Sequence, residues 1–214
     1  ANHKRLNAAV HVFKDEALAE AQNPRPGPLS GLPISVKETF ALGGHSVTAG
    51  SQRMPPIHWE QDAPVVRKLR KAGAIVLARS NVPEFAMAGE TENFIYGRTN
   101  NPLDESRTPG GSSGGEGALV ASGSTALGVG TDLLGSIRIP AAFCGIVGFK
   151  PASGAVSKEA IWPDLQGLYL DSWMGVGPLT RSVRDARLVY NVIAETPLPA
   201  AQTPRGLNLI VPTE

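Results

Sequence analysis

Two clusters of glycine and serine, close together in the chain, constrain this sequence more than any other feature. Thr108-Pro109-Gly110-Gly111-Ser112-Ser113-Gly114-Gly115 comes first, and Gly130-Thr131-Asp132-Leu133-Leu134-Gly135-Ser136 repeats its plan of glycine, polar residues, glycine and serine. Glycine loses more backbone entropy on folding than any other residue, so such clusters mark places where a Cβ would be in the way. Something must come close to the backbone at both places, and each carries a serine hydroxyl.

The rest of the chain sets ordinary bounds. Its 214 residues are 42% hydrophobic and 18% charged, the balance of a globular protein with room for one large core. A formal net charge of +1 gives no electrostatic footprint for nucleic acid or a membrane surface. The longest apolar runs, such as Ala74-Ile75-Val76-Leu77-Ala78, are far too short to span a bilayer. Cys144 stands alone, which excludes an internal disulfide and a cysteine-only metal cage and favours a reducing compartment, the cytoplasm. No signal peptide is visible, and the opening residues read like the middle of a helical segment.

Leu6, Val10, Phe13 and Ala17 recur at helical spacing and predict a helix over 4–22. A proline-glycine connector (23–33) leads to an alternating β-branched strand over 34–40. Asp62 is expected to cap a helix that runs through Leu69 and ends at Gly73, with a short buried strand at 75–78 after it. Further on, the pattern predicts a small-residue helix over 114–121 and a strand over 126–130. A helix over 183–194, capped by Ser182 with Asp185, and a last strand over 207–211 complete it. Helices alternating with strands make a single α/β domain over 1–214, a sheet flanked by helices.

The familiar catalytic patterns fail. Neither glycine cluster ends in the Gly-Lys-Ser/Thr of a phosphate-binding loop. Gly111-Ser112-Ser113-Gly114-Gly115 matches a nucleophile elbow formally, but that motif needs an acid and then a histidine later in the chain. His3, His11, His45 and His58 all precede it, and they lack metal-ligand spacing. What remains is a serine nucleophile served by lysine, which can act as a base only when burial keeps it neutral. Lys37, among Ile34, Val36 and Phe40, is the candidate, although the strand by itself favours a surface lysine on a sheet edge.

Taken together, "GPLSGLPISVKETF" (27–40), "GRTNNPLDESRTPGGSSGGEGALVASG" (97–123), "GVGTDLLGSIRIPAAFCGIVGFKP" (128–151) and "GVGPLTRSVRDARLV" (175–189) resemble the amidase signature family of Ser-Ser-Lys amide hydrolases. The wording is most similar to the family's fatty-acid-amide-hydrolase-like branch. The resemblance implies a mixed central sheet with helices on both faces. It implies Lys37 as buried base, Ser112 as bridging serine on a cis peptide bond, and Ser136 as nucleophile. The backbone N–H groups of Leu133, Leu134, Gly135 and Ser136 would form the oxyanion hole, with Ser113, Asp132 and Arg138 as supports. A small-molecule amide would be the substrate, with no metal or organic cofactor, and a homodimer stays open.

Two other readings stay open as well: a weak or inactive homologue acting as a binding scaffold, and a glutamine-hydrolysing amidotransferase subunit with partner chains. Cys144 is expected to be inert core, and Trp162, Tyr169 and Trp173 to pack in the core or line an acyl pocket. The chain departs from the family pattern where Leu134 replaces the first of two glycines before the nucleophile. If that position needs positive φ, leucine costs roughly 1–2 kcal/mol there. Family catalytic domains also run further than residue 214, so the fold is expected to be the N-terminal portion, incomplete at its C-terminus.

Overall fold

The computed structural model describes residues 5–199. Six strands form one mixed sheet in the order β1 (Ala9–Val12), β5 (Ile75–Ser80), β2 (Pro33–Lys37), β6 (Leu127–Asp132), β8 (Gly175–Thr180), β7 (Val147–Gly148). β2 runs parallel to both β5 and β6, and the remaining pairs are antiparallel. β3 (Ser46–Val47) and β4 (Ile57–His58) make a separate small hairpin. Among the described residues, the α-helices are α1 (Lys14–Gln22), α2 (Pro64–Lys71), α3 (Gly114–Ala121), α4 (Arg138–Phe143) and α5 (Val183–Ile193).

The position of β2 decides the site. Side chains alternate across a strand, so Ile34 and Val36 point to one face and Ser35 and Lys37 to the other. Ile34 and Val36 enter the main core with Val65, Val66 and Leu69 of α2 and Val189, Tyr190 and Ile193 of α5. Ser35 and Lys37 face the other way, Ser35 toward Glu116 of α3 and Lys37 toward Ser112 in the loop before it, where side-chain hydrogen bonds meet them. With β5 and β6 on its flanks, β2 is an interior strand, and Lys37 is fully buried rather than on an edge.

α3 is short of helix-forming residues, and each glycine inside it costs about 0.5–1 kcal/mol against alanine. Close packing is the return. Gly114 to Val120 are all buried, and Gly130 of β6 leaves room for Ser113, since a Cβ there would lie 2.6 Å from Ser113 Oγ.

Two sequence expectations change in the structure. Residues 9–12 form an edge strand on β5 rather than helix, and the helix begins at Lys14. Asn7, at φ 49°, breaks the backbone ahead of them, and ladder pairing overrides the local periodicity. Asp62 does not cap α2: Ala63 is the cap, while the Asp62 carboxylate accepts from the Gly43 N–H and pairs with Arg70. α5 keeps its expected cap, with the Asp185 N–H donating to Ser182 Oγ at 3.1 Å. The strand expected over 207–211 lies outside the described residues.

Candidate active site

Lys37 closes β2, and Thr131 and Asp132 close the adjacent parallel strand β6, so all three stand at the carboxyl ends of neighbouring strands. That edge is where open α/β sheets gather their functional groups. The loop before α3 brings in Ser112, and the turn before α4 brings in Ser136.

Lys37 Nζ lies 2.7 Å from Ser112 Oγ and 2.8 Å from Thr131 Oγ1, with Lys37 wholly and Ser112 almost wholly removed from solvent. Burial pulls the Lys37 ammonium down to about 7, against the opposing pull of Asp132 and Glu116. A neutral lysine has two N–H donors and one lone pair. It can donate to Thr131 while it accepts from Ser112, an arrangement closed to the ammonium. The Gly111–Ser112 peptide is cis.

The loop from 132 to 138 is built around one carboxylate. Asp132 accepts from the Gly135 N–H at 2.8 Å, Ile137 N–H at 3.1 Å and Arg138 N–H at 3.3 Å, and from Arg138 Nε and Nη2 at 3.0 Å each. Burial pushes its carboxyl up, but Arg138 and the three amides outweigh that and hold it below the ordinary range. The Ser113 N–H donates to the Ser136 carbonyl at 3.2 Å and Ser113 Oγ to the Thr131 carbonyl at 3.4 Å, which ties the two glycine clusters together.

This geometry corrects two expectations. The Gly135 N–H is already spent on Asp132, which leaves Leu133, Leu134 and Ser136 as the candidate anion donors. Leu134 is absent from the positive-φ residues, and Gly135 takes the left-handed conformation instead, at φ 118°. Leucine at position 134 therefore carries no left-handed strain. Its side chain, 71% exposed, lines a cavity of about 230 Å³ together with Ser136, Leu133, Ile139, Met87 and Ala86. Ala86, which lines the same cavity, and its neighbour Phe85 do take positive φ, 50° and 55°.

Other candidates fall outside the site. Cys144 is buried, with its thiol pushed up to about 12 by desolvation, which leaves it unreactive. Tyr169 and Trp173 are exposed and meet each other with tilted rings, 5.9 Å between centroids, in neither the core nor this cavity. Trp162 is half-buried against Phe85. His11 and His45 pack around Phe13, and His58 meets Ser46. His3 lies outside the described residues.

Two residues of the site were missed in the sequence. Thr131 became visible only through the register of β2 and β6. Glu116 had a signal, a lone carboxylate in the otherwise glycine-rich and apolar "GGEGALVA".

The model of the Amidase family matches residues 1–205, and this chain belongs to that family. Among curated proteins, it is similar to the A subunit of the glutamyl-tRNA(Gln) amidotransferase of Maridesulfovibrio salexigens. The two are 45% identical over 192 residues, covering 87% of this chain and 38% of that protein. Among solved structures, it is similar to the native peptide amidase of Stenotrophomonas maltophilia, with TM-score 0.82 and 33% identity over 94% of this chain and 45% of that one. A crystal structure of an amidase matches with TM-score 0.85 and 39% identity, over 94% of this chain and 47% of its own. The chain thus spans about two fifths of the length of the curated relatives it matches. Among the described residues, no helix is long and apolar enough to cross a membrane.

Proposed function

We propose that this chain carries the reacting groups of an enzyme that hydrolyses a carboxylic amide through a serine acyl-enzyme. The observation that supports it most is the buried contact of Lys37 Nζ with Ser112 Oγ, beside the turn that bears Ser136. Neutral Lys37 accepts the Ser112 proton while Ser112 takes that of Ser136, and Ser136 Oγ forms a bond to the amide carbonyl carbon. The oxyanion so formed is held by the N–H groups of Leu133, Leu134 and Ser136, a kind of contact worth about 3–4 kcal/mol per donor lost. Ser112 then delivers a proton to the leaving nitrogen, the C–N bond breaks, and a neutral amine departs. Water, giving its proton to the same relay, then adds to the acyl carbon, the bond from Ser136 Oγ to that carbon breaks, Ser136 regains a proton, and the carboxylic acid leaves. Asp132 and Arg138 hold the loop in shape, and Ser113 joins it to Ser112.

A second reading keeps this chemistry and changes the setting: a glutamine-hydrolysing amidotransferase subunit that works with partner chains. The 45% identity to a glutamyl-tRNA(Gln) amidotransferase protein favours it, while the apolar lining beside Ser136 favours a simple amide. We assign both readings to the cytoplasm, and the simple hydrolase is compatible with a homodimer.

The test is labelling by a fluorophosphonate, read by digest mass spectrometry, beside Ser136→Ala and Lys37→Ala. Labelling at Ser136 that depends on Lys37 supports the relay. A folded chain that takes no label is a binding scaffold instead. Ammonia release from glutamine, set against release from an apolar primary amide, separates the two enzyme readings.

A further inference from the structure

Glu116 is a fully buried titratable group that the relay leaves unused. It sits in the first turn of α3, and its Oε2 accepts from Ser35 Oγ. Ser35 precedes Lys37 by two residues on β2, so both side chains leave the same face of the strand. Gly128 of β6 makes room for the carboxyl, since a Cβ there would overlap Oε2. On the other side stands Ser80 of β5, paired with Lys37 across the parallel ladder. Glu116 Oε1 and Ser80 Oγ are both buried without a hydrogen-bond partner. The carboxyl is therefore packed beneath the relay with one of its two oxygens unsatisfied.

The groups that face this pair can be named element by element. Glu116 meets Ser35 from β2 and Ser80 from β5, and the charge acting on it is that of Lys37. Lys37 meets Ser112 from the loop before α3 and Thr131 from β6. The fields of Asp132 from β6 and Glu116 from α3 act on it as well. Asp132 is already neutralised by Arg138 and three amide donors. Glu116 has no such cation in contact.

A buried carboxyl with an unsatisfied oxygen favours the protonated form. Burial pushes Glu116 up to about 8, against the pull of the Ser35 hydrogen bond, of Ser80, which stands close by without meeting hydrogen-bond geometry, and of Lys37. Over the neutral range the two groups then share a proton. With the proton on Glu116, Lys37 is a free base that can accept from Ser112. With it on Lys37, the pair is a buried carboxylate and ammonium, and the relay is blocked.

We propose that Glu116 is a positioning residue for the relay, one that sets the pH at which Lys37 becomes a free base. The inference rests on the roles given above to Lys37, Ser112 and Ser136. Every molecule in which Glu116 is the carboxylate holds the shared proton on Lys37, and Glu116→Gln removes that state, so the substitution can only move the acid limb of the activity downward in pH.

The experiment measures the rate of fluorophosphonate labelling of Ser136 across pH in the full chain, for wild type, Glu116→Gln and Ser35→Ala. Glu116→Gln, isosteric and uncharged, is expected to shift the acid limb down by about half a pH unit or more. Ser35→Ala removes a donor to the carboxylate, favours the protonated acid, and is expected to shift the limb the same way by less. An unmoved limb, or one that moves up, in whichever variants fold overturns the proposal. Wild-type labelling that ignores Lys37→Ala overturns the relay itself, a result distinct from a Lys37-dependent limb that Glu116 does not move.

Discussion

Lys37 Nζ and Ser112 Oγ meet at 2.7 Å across 75 residues of sequence, and the contact is sealed from water. Desolvation has already brought this lysine down to about 7, the property that the proposed relay requires of its base. Acylation of Ser136 is therefore expected to rise through about pH 7 and level off above it. Lys37→Ala should lower the rate by about 100- to 10,000-fold, the range for loss of a positioned base. Stopped-flow or timed labelling across pH checks both, and a flat profile in the folded wild type would speak against a titrating lysine.

The same burial has a cost in stability with a definite sign. Folded Lys37 loses its proton near 7, whereas the unfolded chain holds it up to about 10.5. The unfolded state binds more protons between those values, so this group makes stability rise with pH across that window. Lys37→Met should be the more stable protein below about pH 7, by on the order of 4 kcal/mol, and the gain should shrink toward pH 10.5. Denaturant unfolding at a series of pH values measures it.

Asp132 and Arg138 should respond unequally. The Asp132 carboxylate is fully buried and accepts three backbone amides, while the Arg138 side chain is 56% exposed. Arg138→Ala leaves the amide donors in place and should cost about 1 kcal/mol. Asp132→Ala leaves those amides buried and unpaired, and should cost about 3–5 kcal/mol and the labelling of Ser136 with it. Thermal melts of both variants, run beside the labelling assay, check the ranking.

Leu134 lines the cavity beside Ser136 without backbone strain. Leu134→Ala should change stability by less than about 0.5 kcal/mol, because the side chain is 71% exposed. It should also widen the acyl side, so that fluorophosphonates with longer chains gain in rate over short ones. An unchanged ratio would mean that Leu134 does not restrict the site.

Gly130 tests the close approach of α3 to β6. Gly130→Ala would drive a methyl to 2.6 Å from Ser113 Oγ. Overpacking of this kind costs about 1–3 kcal/mol. Because Ser113 ties the Ser136 carbonyl to the loop that holds Ser112, labelling should fall with stability. A variant that melts like wild type and labels normally would show that the sheet yields there.

Much of this was legible in the chain itself. The strands near 34–40, 75–78 and 126–130 and the helices at 64–71, 114–121 and 183–193 follow from periodicity, caps and turn residues, all local properties, whereas β3, β4, β7, β8 and α4 were not expected from the sequence. The two glycine clusters announced close backbone approach, and the lack of any histidine after them turned attention to lysine. What local chemistry could not decide was which face and which neighbour each residue would have. Lys37 read as an edge-strand lysine until β5 and β6 flanked it, and Ala9–Val12 read as helix until β5 offered a ladder. The Gly135 amide read as a free donor until the loop closed on Asp132. Burial, strand register and hydrogen-bond competition are properties of residues far apart in sequence. The pattern along the chain therefore determined many of the elements and singled out the glycine-serine clusters, while tertiary packing alone decided the remaining strands and which lysine is dry.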